Sequence, residues 1–162
     1  MAEKAPKAAA RRVVDSPFGR LRLEARDGAL VSAAWIGSDE SAPEDADCDL
    51  LVEAERQLAD YFARRRRSFE LPLEPAVGTF ERAVLAAMSA IPFGETRTYG
   101  TLAAALSAMP QEIGQACGAN PLPVFIPCHR VVAAKGQLGG YSGGAGVETK
   151  AALLRHEGAL LL

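Results

Sequence analysis

The chain has 162 residues, 49% of them hydrophobic and 23% charged, which suffices for one domain or two small ones with a real core. No apolar run approaches a membrane span, and three cysteines with two histidines in no CxxC or HxxxH spacing argue against zinc and for reduced thiols in a cytoplasmic protein. The net charge of −2 excludes a coat of positive charge; residues 1–78 carry 12 basic against 15 acidic side chains and residues 79–162 carry 6 against 5, so a polyanion would find modest electrostatic help in the C-terminal part alone.

Residues 1–12, MAEKAPKAAARR, lack the apolar centre of a signal peptide and read as a disordered tail. RVVDSPFGRLRLEARDGALVSAAWIG then alternates between turn signals, SPFG and the Asp27-Gly28 pair, and predicts a β-meander. SDESAPEDADCD reads as an acidic loop in which Cys48 is a bystander. LLVEAERQLADYFARRRR places Leu51, Leu58, Tyr61 and Phe62 on one face of an amphipathic helix, with Arg64 to Arg67 as its solvated basic end. SFELPLEPAVG, broken by Pro72 and Pro75, reads as an extended linker. TFERAVLAAMSAIP predicts a second helix capped by Thr79, apolar at Val84, Leu85 and Met88, and stopped by Pro92. Two short alanine-rich helices, Tyr99 to about Ala108 and Pro110 to about Ala119, follow with a tight connection that suits a helix-turn-helix. The fold class expected is α/β, or α+β. A small sheet-plus-helix domain at 13–75 precedes an α-rich domain at 79–162 that holds the helix-turn-helix and an active-site strand.

The stretch NPLPVFIPCHRVV sets Cys128 between a proline and His129-Arg130. A thiolate is the nucleophilic form of cysteine, and a neighbouring base raises its population. In an extended strand adjacent side chains point apart, so His129 would have to act on Cys128 through a water, with a carboxylate fixing its tautomer. Glu157, in RHEGALL, is a candidate for that carboxylate. The competing reading is a packed core thiol, and the residue physics leaves the two near even.

IPCHRVV, preceded by NPLP and followed by GGYSGG and a Lys-x-x-Leu-Leu-x-x-Glu-Gly ending, resembles the O⁶-alkylguanine-DNA alkyltransferases over nearly all of residues 79–158. The resemblance implies a monomer that binds DNA containing alkylated guanine, needs no metal or organic cofactor, and moves the alkyl group irreversibly onto Cys128 from O⁶-alkylguanine or O⁴-alkylthymine. It implies His129 as base through water, Glu157 as its orienter, and Tyr99 as a neighbour of the DNA phosphate and proton donor to the departing base. It further implies Lys150 near the leaving group, Asn120 as the brace of the turn before the cysteine, and Pro123, Val131, Tyr141 and Ser142 as pocket residues. Tyr99, Gln111 and Arg130 would face DNA. QEIG stands where the family carries an Arg-Ala-Val-Gly stretch, so Gln111 occupies the place of the arginine that enters the duplex, and no lysine or arginine occurs between Arg97 and Arg130. That departure keeps two alternatives open, a preference for single-stranded or unusual alkylated substrates and a lesion-binding protein without transfer.

Overall fold

The computed structural model describes residues 9–37 and 48–160. Residues 1–8 of the expected tail and 38–47 of the acidic loop lie outside the described residues. The chain divides into two compact units, Met1–Pro75 and Ala76–Leu162.

In the first unit β1 (Ala10–Ser16), β2 (Gly19–Arg26) and β3 (Ala29–Ile36) form an antiparallel meander in the order β1-β2-β3. The β2–β3 turn is made by Asp27 and Gly28, both at positive φ (51° and 78°), as a two-residue primed hairpin turn demands. Leu21, Leu23 and Ala25 alternate into the core, and α1 (Asp49–Phe62) covers it with Leu51, Ala54, Leu58 and Tyr61.

Three expectations need correction here. β1 starts at Ala10, inside the stretch read as tail, because Ala10 to Arg12 pair with Ala25 to Leu23. α1 stops at Phe62, and Arg64 adopts a left-handed φ of 64°, so Arg64 to Arg67 lie beyond the helix rather than in its last turn. The supposed linker is also partly sheet: Leu73 bridges Leu30, with Leu30 N–H donating to Pro72 O at 2.8 Å and Glu74 N–H to Leu30 O at 3.0 Å.

The second unit opens with α2 (Thr79–Ser89), which buries Val84, Leu85 and Met88. Its N-cap is Gly78, and Thr79 is the first helical residue rather than the cap. β4 (Arg97–Thr98) leads into α3 (Tyr99–Ala105), capped by Thr98, whose Oγ1 accepts from Thr101 N–H at 3.0 Å. α3 ends at Ala105, short of the expected Ala108, and Ser107 at φ 53° turns the chain towards α4 (Pro110–Gly118). Pro110 opens α4, where its missing N–H costs nothing.

Cys128 is not on a strand. Cys128–Arg130 form a 3₁₀ turn, closed by Arg130 N–H donating to Pro127 O at 3.0 Å, and β5 (Val131–Val132) begins only afterwards, pairing parallel with β4. After the glycine-rich loop, α5 (Val147–His156) packs against that turn, and Glu157 caps its end. No helix among the described residues is long and apolar enough to cross a membrane.

Candidate active site

Asn120 organises the chain that leads to the cysteine. Its Nδ2 donates to Ile126 O at 2.9 Å, and its Oδ1 accepts from Leu122 N–H at 3.0 Å. The loop between them holds Val124 at φ 73°, a conformation that costs a β-branched residue about 1–3 kcal/mol. Burial of Leu122, Val124, Phe125 and Ile126 offsets that strain. Ile126 O also accepts from Cys128 N–H at 2.8 Å, so Asn120 and the cysteine backbone share one carbonyl.

Cys128 is 8% exposed and faces a cavity of about 590 Å³. Tyr99 from α3, Pro110, Gln111, Gly114, Cys117 and Gly118 from α4, and Gly140, Tyr141 and Ser142 from the glycine-rich loop complete its wall. Burial pushes the Cys128 thiol above its ordinary pKa, while the Asn120 side chain and the Lys150 ammonium pull it back.

His129, Arg130 and Glu157 form a buried polar cluster beneath the turn. His129 Nε2 lies 2.9 Å from Glu157 Oε2, and Arg130 grips both carboxylate oxygens, Nε to Oε1 at 2.8 Å and an Nη to Oε2 at 2.9 Å. Its other Nη donates to Ile91 O at 2.7 Å. Burial alone would raise the Glu157 pKa; the hydrogen bonds from His129 and Arg130, with their charges, outweigh it and bring the carboxyl down to about 2. Burial lowers the His129 pKa, against the opposing pull of Glu157. An ionised Glu157 accepts only, so the neutral imidazole must carry its proton on Nε2 and leave Nδ1 as a bare acceptor. Nδ1 is buried and has no hydrogen-bond partner in the protein. A polar atom so placed is a seat for a bound water.

Lys150, fully buried on α5, ties three segments together: Nζ donates to Val131 O at 2.6 Å, Gly140 O at 3.2 Å and Tyr99 Oη at 3.3 Å. With all three ammonium protons so directed, the Tyr99 oxygen accepts from Lys150 and its own hydrogen is free to be donated elsewhere. Burial, with negative charge at Cys117 and Cys128 when they ionise, holds the phenol up at about 12, so it is a proton donor at neutral pH. Gly139, at φ 76°, lies against the ring; a Cβ there would sit 2.8 Å from a Tyr99 ring carbon.

The site thus gathers Cys128, His129, Glu157, Tyr99, Lys150, Asn120, Tyr141, Ser142 and Gln111. It does not use Arg130 as expected: the guanidinium is buried on Glu157 and Ile91 and faces no DNA, because ionised Glu157 is a stronger partner inside the protein. Pro123 and Val131 are outside the cavity wall; Pro123 bridges Ile126, and Val131 contributes its carbonyl to Lys150. Cys117 was missed. It lines the cavity, donates to Met88 Sδ at 3.4 Å, and is pushed up to about 12 by burial, which keeps it a thiol. Its place on the buried side of α4, three residues before Asn120, was the available signal.

A buried cysteine at the wall of an open cavity, with a histidine–carboxylate pair next to it in the chain's fold and a helix hairpin beside it, is an arrangement in which a protein thiol can receive a transferred group. The family model for the DNA-binding domain of 6-O-methylguanine DNA methyltransferase matches residues 79–159, and that for the ribonuclease-like domain of the same proteins matches residues 10–75. The chain belongs to the 6-O-methylguanine DNA methyltransferase family. It is 36% identical to a methylated-DNA–protein-cysteine methyltransferase of Mycolicibacterium paratuberculosis over 82% of this chain and 84% of that one. It is 41% identical to a protein of the same name from Methanosarcina acetivorans over 86% and 80%. Among solved structures, the Mycobacterium tuberculosis O6-methylguanine methyltransferase superposes with a TM-score of 0.82 at 32% identity, covering 94% of each chain. The M. tuberculosis OGT in complex with DNA gives 0.80 at 34% identity, covering 91% and 92%.

Proposed function

We propose that this protein repairs DNA by taking the alkyl group of O⁶-alkylguanine, or of O⁴-alkylthymine, onto Cys128 in one irreversible turnover. The observation that carries this reading is Cys128 itself, buried at the cavity wall above the His129–Glu157–Arg130 cluster. A water on His129 Nδ1 takes the Cys128 proton, and Glu157 holds the imidazolium that forms. The thiolate displaces the base from the alkyl carbon: the S–C bond forms as the C–O⁶ bond breaks. Guanine leaves with a proton supplied by the Tyr99 hydroxyl; the phenolate left behind is stabilised by the Lys150 ammonium 3.3 Å away and is reprotonated from solvent. The electron pair of the broken bond stays on the base, and the thioether remains on the protein.

Because Cys128 is buried, the target atom reaches it only if the nucleotide leaves the stack. DNA binding is supported by the relative solved in complex with DNA, and the three free thiols fit a reducing cytoplasm. A lesion-binding protein without transfer is disfavoured by the presence of the thiol. The test is intact-mass and peptide mass spectrometry after incubation with an oligonucleotide carrying O⁶-methylguanine. The expected result is one methyl group per protein, mapped to Cys128, and none in Cys128→Ser. Transfer surviving in the serine variant, or a methyl mapped to Cys48 or Cys117, overturns the reading.

A further inference from the structure

We propose that Met109 is an apolar wedge that enters the base stack of a damaged duplex and fills the space vacated by the extruded nucleotide. The proposal rests on the alkyltransferase reading, which requires that a base leave the stack to reach buried Cys128.

Met109 is 61% exposed, the most exposed of the large hydrophobic side chains among the described residues. It directly precedes Pro110 and Gln111, which form part of the cavity wall, so its backbone adjoins the cavity that a flipped nucleotide would enter. Its backbone is held firmly. Met109 N–H donates to Glu112 Oε1 at 3.0 Å, and Met109 O accepts from Glu112 N–H at 3.0 Å and Ile113 N–H at 3.3 Å. Pro110 then fixes the first turn of α4. The side chain is therefore displayed from a rigid cap rather than from a loose loop.

Charge points the same way. From Thr98 to Cys128 there is no lysine or arginine, and the single charged side chain, Glu112, is engaged with Met109 N–H. The hairpin has no cation to place in a vacated stack. Proteins that unstack DNA insert apolar wedges, methionine among them, and the unbranched, polarisable thioether packs well against flat rings. Gln111, one residue further on and in the cavity wall, is placed to offer its neutral amide beside the wedge.

The test compares second-order transfer rates of the wild type, Met109→Ser and Met109→Leu on O⁶-methylguanine in duplex and in single-stranded DNA, each at two salt concentrations. In parallel, 2-aminopurine beside the lesion reports unstacking in a Cys128→Ser background, where no transfer occurs. Met109→Ser should be slower by about tenfold on duplex and unchanged on single strands, by the same factor at both salts because no charge is lost. Met109→Leu should restore the rate, and the fluorescence rise seen with Met109 should be lost with serine. An equal loss on both substrates, or no loss on duplex with an unchanged fluorescence rise, overturns the wedge. Absence of transfer by the wild type on either substrate overturns the alkyltransferase reading instead, and the fluorescence arm still decides the wedge.

Discussion

Replacing Glu157 by glutamine removes the negative charge beneath His129 while keeping nearly the same shape. In the native protein Oε2 is 2.9 Å from Nε2, and both oxygens are also held by Arg130, so only part of the carboxylate charge is felt by the imidazole. A hydrogen bond to a charged group is worth about 1.5–3 kcal/mol, and its loss from the imidazolium converts to a rate roughly ten- to a hundredfold lower. Glu157→Gln should therefore slow methyl transfer by that factor and raise the apparent pKa of the Cys128 thiol, because the imidazolium that accompanies the thiolate is less stable. The same change leaves a buried arginine without its counter-charge, at a cost of about 3–5 kcal/mol in stability. Rates must accordingly be measured per folded molecule, with urea unfolding as the companion assay. The double variant Arg130→Met/Glu157→Gln should recover part of the stability but none of the rate. The assay is single-turnover transfer from a methylated oligonucleotide across pH. A rate within about twofold of the wild type with an unchanged pH profile would reduce Glu157 to a structural anchor and refute the relay.

Gln111→Arg should raise the rate on duplex DNA, leave that on single strands nearly unchanged, and steepen the salt dependence of duplex binding by about one unit of slope; equal changes on both substrates would show that Gln111 does not act at the vacated stack. Acid should unfold the C-terminal unit progressively, as read by urea midpoints against pH. His129 and Glu157 both have folded pKa values below their ordinary 6.5 and 4.5, so each contributes stability that is present above that value and lost as pH falls below it. The fall of Glu157 from 4.5 to about 2 corresponds to about 3 kcal/mol. Cys128, with a raised pKa, contributes stability below its ordinary 9.0 that is lost above it, so the midpoint should be highest between about pH 7 and 9. A midpoint unchanged from pH 7 to 4 would contradict the assigned ionisation states.

The meander, α1, α2 and the α3–α4 pair were legible because each is written in local pattern, alternation or helical spacing, and the thiol site through a compact motif around Cys128. What escaped depends on neighbours distant in sequence. Arg130 beside His129 looks like a cation for phosphate, and only the arrival of Glu157 and the Ile91 carbonyl turns it inward. The apolar run before Cys128 suggests a strand, yet Pro127 and the Asn120-braced loop curl it into a 3₁₀ turn. SFELPLEP alternates Phe69, Leu71 and Leu73 with Glu70, Pro72 and Glu74, and its two prolines speak against a strand, but prolines spare the carbonyls, and Pro72 O is one of those that join it to β3. Cys117 sits in an unremarkable helical stretch, and its place in the cavity follows from how α4 is rotated.

The knot at Glu157 joins groups from Ile91, from the turn at Cys128–Arg130, and from a residue 28 positions beyond His129. Such a contact is late in chain order, and non-local pairings form after local ones. During synthesis the cysteine emerges well before the carboxylate that orients its base. A nascent chain, or one cleaved between Arg130 and Glu157, carries an ordinary thiol with an untethered histidine. Burial at the finished cavity wall then raises the thiol pKa and shields the sulfur from stray electrophiles: the selectivity of the acceptor becomes a property of the finished fold.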